Sequence, residues 1–123
     1  MEQRTIHLFT EKEEELVNLF IKIGMKKVIA QILVYIARTE EATARDIERG
    51  IDLRQSECSM AVRYLTDQGW LKSRKIPSER KGRDVQMYRL TVPLSKILNG
   101  IEKQKKTEAN NQLAIIKKMR SFL

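Results

Sequence analysis

The sequence has few of the residues that form disulfides, metal sites and catalytic centres. It contains one cysteine, Cys58, and one histidine, His7, among its 123 residues. A single cysteine excludes an intramolecular disulfide, and one cysteine far from one histidine disfavours a zinc site. There is also no glycine-rich phosphate loop and no histidine beside a nucleophile. The inventory therefore predicts a protein that is not an enzyme and needs no cofactor.

Long apolar segments are missing as well. No run approaches the roughly 18 consecutive apolar residues of a membrane-spanning helix, and the first residues are too charged for a signal peptide. We therefore expect a cytoplasmic protein that does not enter a membrane. The hydrophobic fraction of 41% is still enough to form a core, and the length suits one domain, alone or with an arm.

Positive charge is in excess, and it is unevenly placed. The chain carries a formal net charge of +8. Residues 1–40 are neutral and residues 41–69 carry −2, whereas residues 70–92 and 93–123 carry +5 each. Such a surplus favours a polyanionic partner, either nucleic acid or an anionic membrane surface, and its position matters more than its total.

Apolar spacing predicts two helices at the start of the chain. Thr10 and Glu13 have the spacing of a capping box, which predicts the beginning of a first helix, and Gly24 should end it. A second helix is predicted over residues 25–38, where apolar residues cover a wide face that should be buried.

A third and a fourth helix follow. Thr43 should cap a short helix over residues 44–49 that Gly50 stops. The fourth helix is predicted over residues 55–68 and ends at Gly69. Its inward stripe comprises Cys58, Ala61, Val62 and Leu65, which leaves Gln55, Ser56, Glu57, Ser59, Met60 and Arg63 facing outward.

The pattern then changes from helical to alternating. Residues 70–76 and 85–90 are predicted to be strands, joined by a polar turn that contains Gly82. This is a β-hairpin with a long basic tip. Residues 72–83 of this hairpin include six basic residues, among which Glu79 is the one acid: Lys72, Arg74, Lys75, Arg80, Lys81 and Arg83.

A last helix is predicted to open at Pro93. Two apolar clusters lie along it, separated by residues 102–112, which are almost wholly polar. Because the apolar residues do not keep a heptad through this stretch, we expect two packed ends with an exposed middle rather than a continuous coiled coil.

The order of these elements is that of a winged helix-turn-helix, a mainly α fold with a small β-hairpin wing. In such an arrangement a helix enters the major groove of double-stranded DNA and the hairpin neutralises phosphates. The fold thus predicts a sequence-specific DNA-binding transcriptional regulator. The predicted recognition-helix contacts are Gln55, Ser56, Ser59, Met60 and Arg63, and the predicted wing contacts are the six basic hairpin residues.

Over about residues 25–92 the chain resembles winged-helix regulators of the MarR and TrmB-like families of bacteria and archaea. The similarity rests on the small-residue start of the third helix at residues 42–47 and the serine-rich start of the fourth. It also rests on Leu65, which lies four residues before Gly69. The resemblance implies a homodimer joined by terminal helices, with Ser56, Ser59, Met60 and Arg63 facing the groove.

Three segments follow from this interpretation: an N-terminal helix (1–24), a DNA-binding domain (25–92) and a C-terminal helix (93–123). The terminal helices should form the dimer, since their apolar residues would otherwise be exposed. The predicted dimer contacts are Leu16, Leu19, Phe20 and Ile23 with Leu113, Ile116, Met119 and Phe122.

Several alternatives stay open at this stage. Winged helices also act as protein-interaction modules of larger transcription or nucleic-acid-processing complexes. Glu57 could accept a hydrogen bond from cytosine or only stabilise the start of its helix. Cys58 is better explained as a packed core residue than as a redox switch. A small-molecule effector is left open, although the sequence has no visible signature for one.

Overall fold

The computed structural model describes residues 9–77 and 84–123. In this part of the chain the helices and strands are α1 (Glu11–Lys22), α2 (Lys27–Thr39), β1 (Ala42–Thr43), α3 (Ala44–Ile51), α4 (Gln55–Asp67), β2 (Leu71–Pro77), β3 (Asp84–Leu90) and α5 (Leu94–Arg120). The predicted winged helix-turn-helix, mainly helical with a small β-sheet, is confirmed. The chain divides into two compact units, Met1–Thr91 and Val92–Leu123, which we describe separately.

Two of the predicted helix starts are capped as expected. Thr10 Oγ1 accepts a hydrogen bond from Glu13 N at 3.1 Å, and Thr10 N donates to Glu13 Oε1 at 2.9 Å. The same reciprocal pair joins Thr43 and Asp46, at 3.1 and 3.0 Å. Each pair satisfies two backbone donors that the helix itself leaves without an acceptor, so α1 and α3 begin at defined residues.

The core of the first unit is built around α2. Ile32, Leu33 and Ile36 of this helix have no exposed surface, and neither do Ile47 of α3 and Leu65 of α4. Full burial of one such aliphatic side chain contributes about 1.5–3 kcal/mol. The wide apolar face predicted for this helix is therefore the face that holds the helix-turn-helix together.

The third helix ends later than predicted, and Gly50 has a different role. The helix continues to Ile51 and closes at Asp52, whose φ of 60° is in the left-handed region. A Cβ on Gly50 would lie 2.8 Å from Tyr35 Oη. Gly50 thus allows α2 and α3 to approach closely and does not stop the helix. Gly69, with φ of +81°, follows the end of α4 as predicted.

The wing has three strands where the sequence predicted two. The sheet order is β1-β3-β2, and both neighbouring pairs are antiparallel. Strand β1 has only two residues, Ala42 and Thr43, which pair with Tyr88 and Met87. Two residues show no alternation, so this strand left no signal in the sequence. The predicted turn at residues 78–83 lies outside the described residues.

The second unit is one long helix. Helix α5 continues through the polar stretch at residues 102–112 without a break, and ion pairs Lys105–Glu108 and Lys106–Glu102 span single turns there. Its buried residues are Ile97 and Ile101. Among the helices described, none combines the length and apolar character needed to cross a membrane.

Candidate nucleic-acid interface

Helix α4 has one buried and one exposed face, as its sequence spacing predicted. Cys58, Ala61, Val62 and Leu65 are buried. The five predicted recognition residues, Gln55, Ser56, Ser59, Met60 and Arg63, are all exposed. An α-helix with a polar exposed face has the dimensions and the hydrogen-bonding groups required to enter a major groove.

The side chain of Glu57 forms a hydrogen bond at the start of α4. Its Oε1 accepts a hydrogen bond from the backbone nitrogen of Arg54 at 3.0 Å. A carboxylate in the first turn is also favoured by the helix dipole. Of the two roles considered from the sequence, the geometry supports the structural one, in which Glu57 stabilises the helix terminus.

A polar cleft lies between α3, α4 and β3. Its volume is about 310 Å³. It brings three of the predicted recognition residues, Gln55, Ser59 and Arg63, together with Tyr88 of the wing. The wall formed by α3 includes Ala44 and Glu48. The recognition helix and the wing therefore share one concave surface, to which Tyr88 contributes although the sequence did not single it out.

Cys58 lies at the buried side of this cleft. The residue is 1% exposed, and its Sγ is 3.8 Å from the backbone oxygen of Ala44, which accepts its hydrogen bond. Burial, with a smaller contribution from the nearby charge of Glu48, raises the pKa of the Cys58 thiol to about 11. A protonated, buried thiol is a packing residue, because the reactive species of cysteine is the thiolate.

Strand alternation divides the side chains of the wing between two faces. Ser73 pairs with Tyr88, and Lys75 pairs with Gln86. Residues two apart along a strand share a face, and so do residues paired across two strands. These four side chains therefore lie on one face of the wing, and Tyr88 on that face lines the cleft. We call this face the inner face. The opposite, outer face carries the basic residues Lys72, Arg74 and Arg89.

The outer face contains an acid that engages its arginines. Glu41 accepts hydrogen bonds from Arg74 Nε at 3.3 Å and from Arg74 Nη2 at 3.1 Å. Arg89 Nη1 lies 4.0 Å from the same carboxylate. Bidentate pairing uses the donors that would otherwise bind a phosphate. Of the predicted wing contacts that the structure describes, Lys72, Arg74 and Lys75, Arg74 is thus the one with an intramolecular competitor.

The other predicted wing contacts fall into two groups. Lys72 and Lys75 are exposed on opposite faces of β2. The predicted contacts at the tip, Arg80, Lys81 and Arg83, lie outside the described residues. Arg89, which was not predicted as a site residue, lies opposite Lys72 on the outer face.

A larger and more apolar cavity lies on the other side of α4. It has a volume of about 480 Å³ and is lined by residues of the α1–α2 turn, the first turn of α2 and α4. Met60 and Tyr64 belong to this lining and are 73% and 43% exposed. Sequence reasoning missed Tyr64, although its position four residues after Met60 places both on one helical face.

The predicted dimer contacts differ in exposure. In α1, Phe20 is 1% exposed, so it contributes to packing within one chain and has no surface left for a partner. Leu16 is half-buried, whereas Leu19 and Ile23 are exposed. In α5, all four predicted residues, Leu113, Ile116, Met119 and Phe122, are exposed, Phe122 to 79%.

Solved structures share the fold. A transcriptional regulator homologue from Pyrococcus horikoshii is 18% identical, with a TM-score of 0.50 over 85% of this chain and 94% of its own. A possible transcriptional regulator from Methanosarcina mazei is 14% identical, with a TM-score of 0.56 over 89% and 78%. A mutant of E. coli MarR is 16% identical, with a TM-score of 0.52 over 88% and 78%.

A family model supplies the assignment that these low identities do not. No curated protein sequence matches the chain. The model of the MarR family matches residues 23–84, which is half of the chain and extends from the end of α1 into the wing. The chain therefore belongs to the MarR family of winged-helix transcriptional regulators.

Proposed function

We propose that this chain binds double-stranded DNA sequence-specifically, as a homodimer, and regulates transcription without enzymatic activity. The observation that carries the proposal is the shared concave surface, on which Gln55, Ser59 and Arg63 of α4 lie beside the inner face of the wing. Groups suited to base edges and groups suited to phosphates are thereby presented together.

The two elements have separate tasks in this proposal. The guanidinium group of Arg63 has two donors that can bind guanine in a bidentate manner. Gln55 can form hydrogen bonds with adenine, and Met60 can contact a thymine methyl group. Lys75 and the tip of the wing neutralise phosphates and release counterions, which contributes affinity for any sequence. In this proposal α4 recognises the base sequence, and the wing fixes the orientation of α4 on the duplex.

Dimerisation is part of the proposal because one winged helix contacts too few base pairs to select a site in a genome. The exposed residues Leu113, Ile116, Met119 and Phe122 of α5 form an apolar surface that a second copy could cover. Leu19 and Ile23 supply exposed apolar surface on α1. We propose that these helices join two subunits around a two-fold axis.

A second candidate is a protein-interaction module of a larger complex. It is favoured by the apolar cavity beside α4, where Met60 and Tyr64 are exposed next to the start of α2. Large exposed apolar surfaces are typical of protein contacts, and such a surface beside a recognition helix is not required for reading DNA.

Selection of bound sequences from random duplex DNA separates the two candidates. The proposal predicts an enriched palindrome whose half-sites lie about one helical turn apart. Retained duplexes without any enriched sequence would contradict sequence-specific reading. Absence of retained duplex would favour the interaction module.

The dimer has its own test in light scattering. At micromolar concentration we expect about twice the chain mass of 14.4 kDa, and Met119→Glu should give a folded monomer because it places a charge in the apolar surface. Gln104→Glu is a matched control in the exposed polar stretch of α5 and should stay dimeric. A monomeric wild type would contradict the dimer, whatever its affinity for DNA.

A further inference from the structure

Tyr88 has a hydroxyl group that no other described residue engages in a hydrogen bond. Its side chain is half-buried and lines the cleft between α3, α4 and β3. Within the described ranges, no hydrogen bond is formed by this hydroxyl. Tyr35 provides a contrast, because its Oη donates to the backbone oxygen of Asp46 at 3.4 Å. A hydroxyl group that lines an open cleft without a protein partner is available to donate a hydrogen bond to a ligand.

The surroundings of Tyr88 keep its hydroxyl protonated. Burial raises its pKa from the ordinary value, and the neighbouring Cys58 raises it further. At neutral pH the group is therefore an uncharged hydrogen-bond donor. It faces a cleft whose other polar side chains are Gln55, Ser59, Arg63 and Glu48.

The shape of duplex DNA indicates what passes over this cleft. The walls of a major groove are the two sugar-phosphate backbones. If α4 enters the groove and the basic wing lies beside it, one backbone strand must run between them. The cleft lies between these same two elements, and Tyr88 projects from the wing side of it.

We propose that the Tyr88 hydroxyl donates a hydrogen bond to one DNA phosphate in each half-site, on the strand that passes between α4 and the wing. This inference rests on the proposed function. Ser59, on the opposite wall, carries a second hydroxyl that can hold the same backbone segment. Glu48 repels an anion from the α3 wall, so the phosphate lies toward α4 and β3.

Removal of a neutral hydrogen-bond donor should affect the salt dependence of binding differently from removal of a cation. Tyr88→Phe keeps the ring and removes only the hydroxyl. It should weaken binding roughly three- to tenfold, equally for the selected site and for a scrambled duplex, without changing the dependence of affinity on salt. Lys75→Ala should instead reduce the slope of log K against log[salt] by about one.

Fluorescence anisotropy with labelled duplexes at several salt concentrations measures both quantities. Tyr35→Phe is the control, because it removes a hydroxyl that already has an intramolecular partner, and its affinity should equal that of the wild type. Thermal unfolding verifies that each variant is folded. Unchanged affinity in Tyr88→Phe overturns the proposal, and so does a loss confined to one sequence, which would indicate a base contact.

Methylphosphonate substitution locates the phosphate. Each phosphate of the selected half-site is replaced in turn, and the loss of affinity is compared between the wild type and Tyr88→Phe. We expect one position at which the loss in the variant is smaller, since the hydrogen bond is already absent. Equal losses at every position overturn the contact. A wild type that binds no duplex refutes the proposed function itself, and the contact with it.

Discussion

The two faces of the wing differ in what surrounds their positive charges. The outer face has three basic residues, but Glu41 pairs with Arg74 at 3.1 Å and lies 4.0 Å from Arg89. The inner face has one described basic residue, Lys75, and one acid, Asp84, and among the described residues these two form no ion pair. The face with fewer charges is the one that continues into the cleft beside α4.

This difference shows why a count of charges is a weak guide to a binding surface. The net charge of residues 70–92 is +5, yet Glu41 precedes that segment in the sequence and reaches it only through the pairing of β1 with β3. Strand pairing and alternation decide which cations meet a ligand. We therefore propose that α4 and the inner face bind DNA and that Arg74 and Arg89 make mainly intramolecular contacts.

The largest effect is expected from the reading helix. Arg63→Ala should cost about 1–3 kcal/mol on the selected site and relax the preference at one base pair. Arg89→Ala removes the same side chain from the outer face and should change affinity much less. The measurement is the ratio of affinities for selected and scrambled duplexes. An equal loss of affinity in both variants would contradict the assignment of sequence reading to α4 rather than to the outer face of the wing.

A pair of lysines tests the wing itself. Lys72 and Lys75 lie on opposite faces of the same strand. Lys75→Ala should weaken binding to all duplexes and lower the salt slope by about one, whereas Lys72→Ala should leave the slope unchanged. Salt titrations of both variants give the answer, and a larger change of slope for Lys72→Ala would reverse the assignment of faces.

A smaller effect is expected at the acid of the outer face. Glu41→Gln removes one negative charge and releases Arg74. Because these groups face away from the cleft and salt screens exposed charges, affinity should rise only about two- to threefold at low salt and the gain should fade as salt is added. A gain of tenfold or more would mean that Arg74 binds DNA once it is released.

The smallest effect concerns pH. The pKa of Cys58 is about 11 against an ordinary 9.0, and burial also raises the pKa of Tyr88, so neither group should alter DNA affinity between pH 7 and 9. The raised pKa of Cys58 stabilises the fold fully below pH 9, and this contribution is lost as pH rises toward 11. Chemical unfolding should show a steeper decline in wild type than in Cys58→Ala, and equal declines would argue against burial of the thiol.

Local patterns predicted much of this fold. The capping box at Thr10 and the N-cap at Thr43 depend on residues within one turn, and the buried stripe of α4 depends on helical spacing. Both are short-range properties that a sequence displays directly. The order of helices and strands was therefore sufficient to identify the winged helix.

The parts that were missed depend on contacts between distant segments. Gly50 was assigned to a helix end, but it is needed because Tyr35 of α2 approaches it. The pairing of Glu41 with Arg74 spans 33 positions, and Tyr88 became a candidate only when β3 was placed beside α4. No periodicity within one segment reveals such neighbours, so these site residues required the structure.

The assignment of the DNA-binding face is tested most directly by the change in backbone amide chemical shifts when duplex DNA of the selected sequence is added. We expect the largest shifts at Gln55–Arg63 of α4 and at Lys75, Gln86 and Tyr88 of the wing. Lys72 and Arg89, on the outer face, should change little. Shifts concentrated on the outer face, or an absence of shifts in α4, would contradict the assignment of DNA binding to α4 and the inner face.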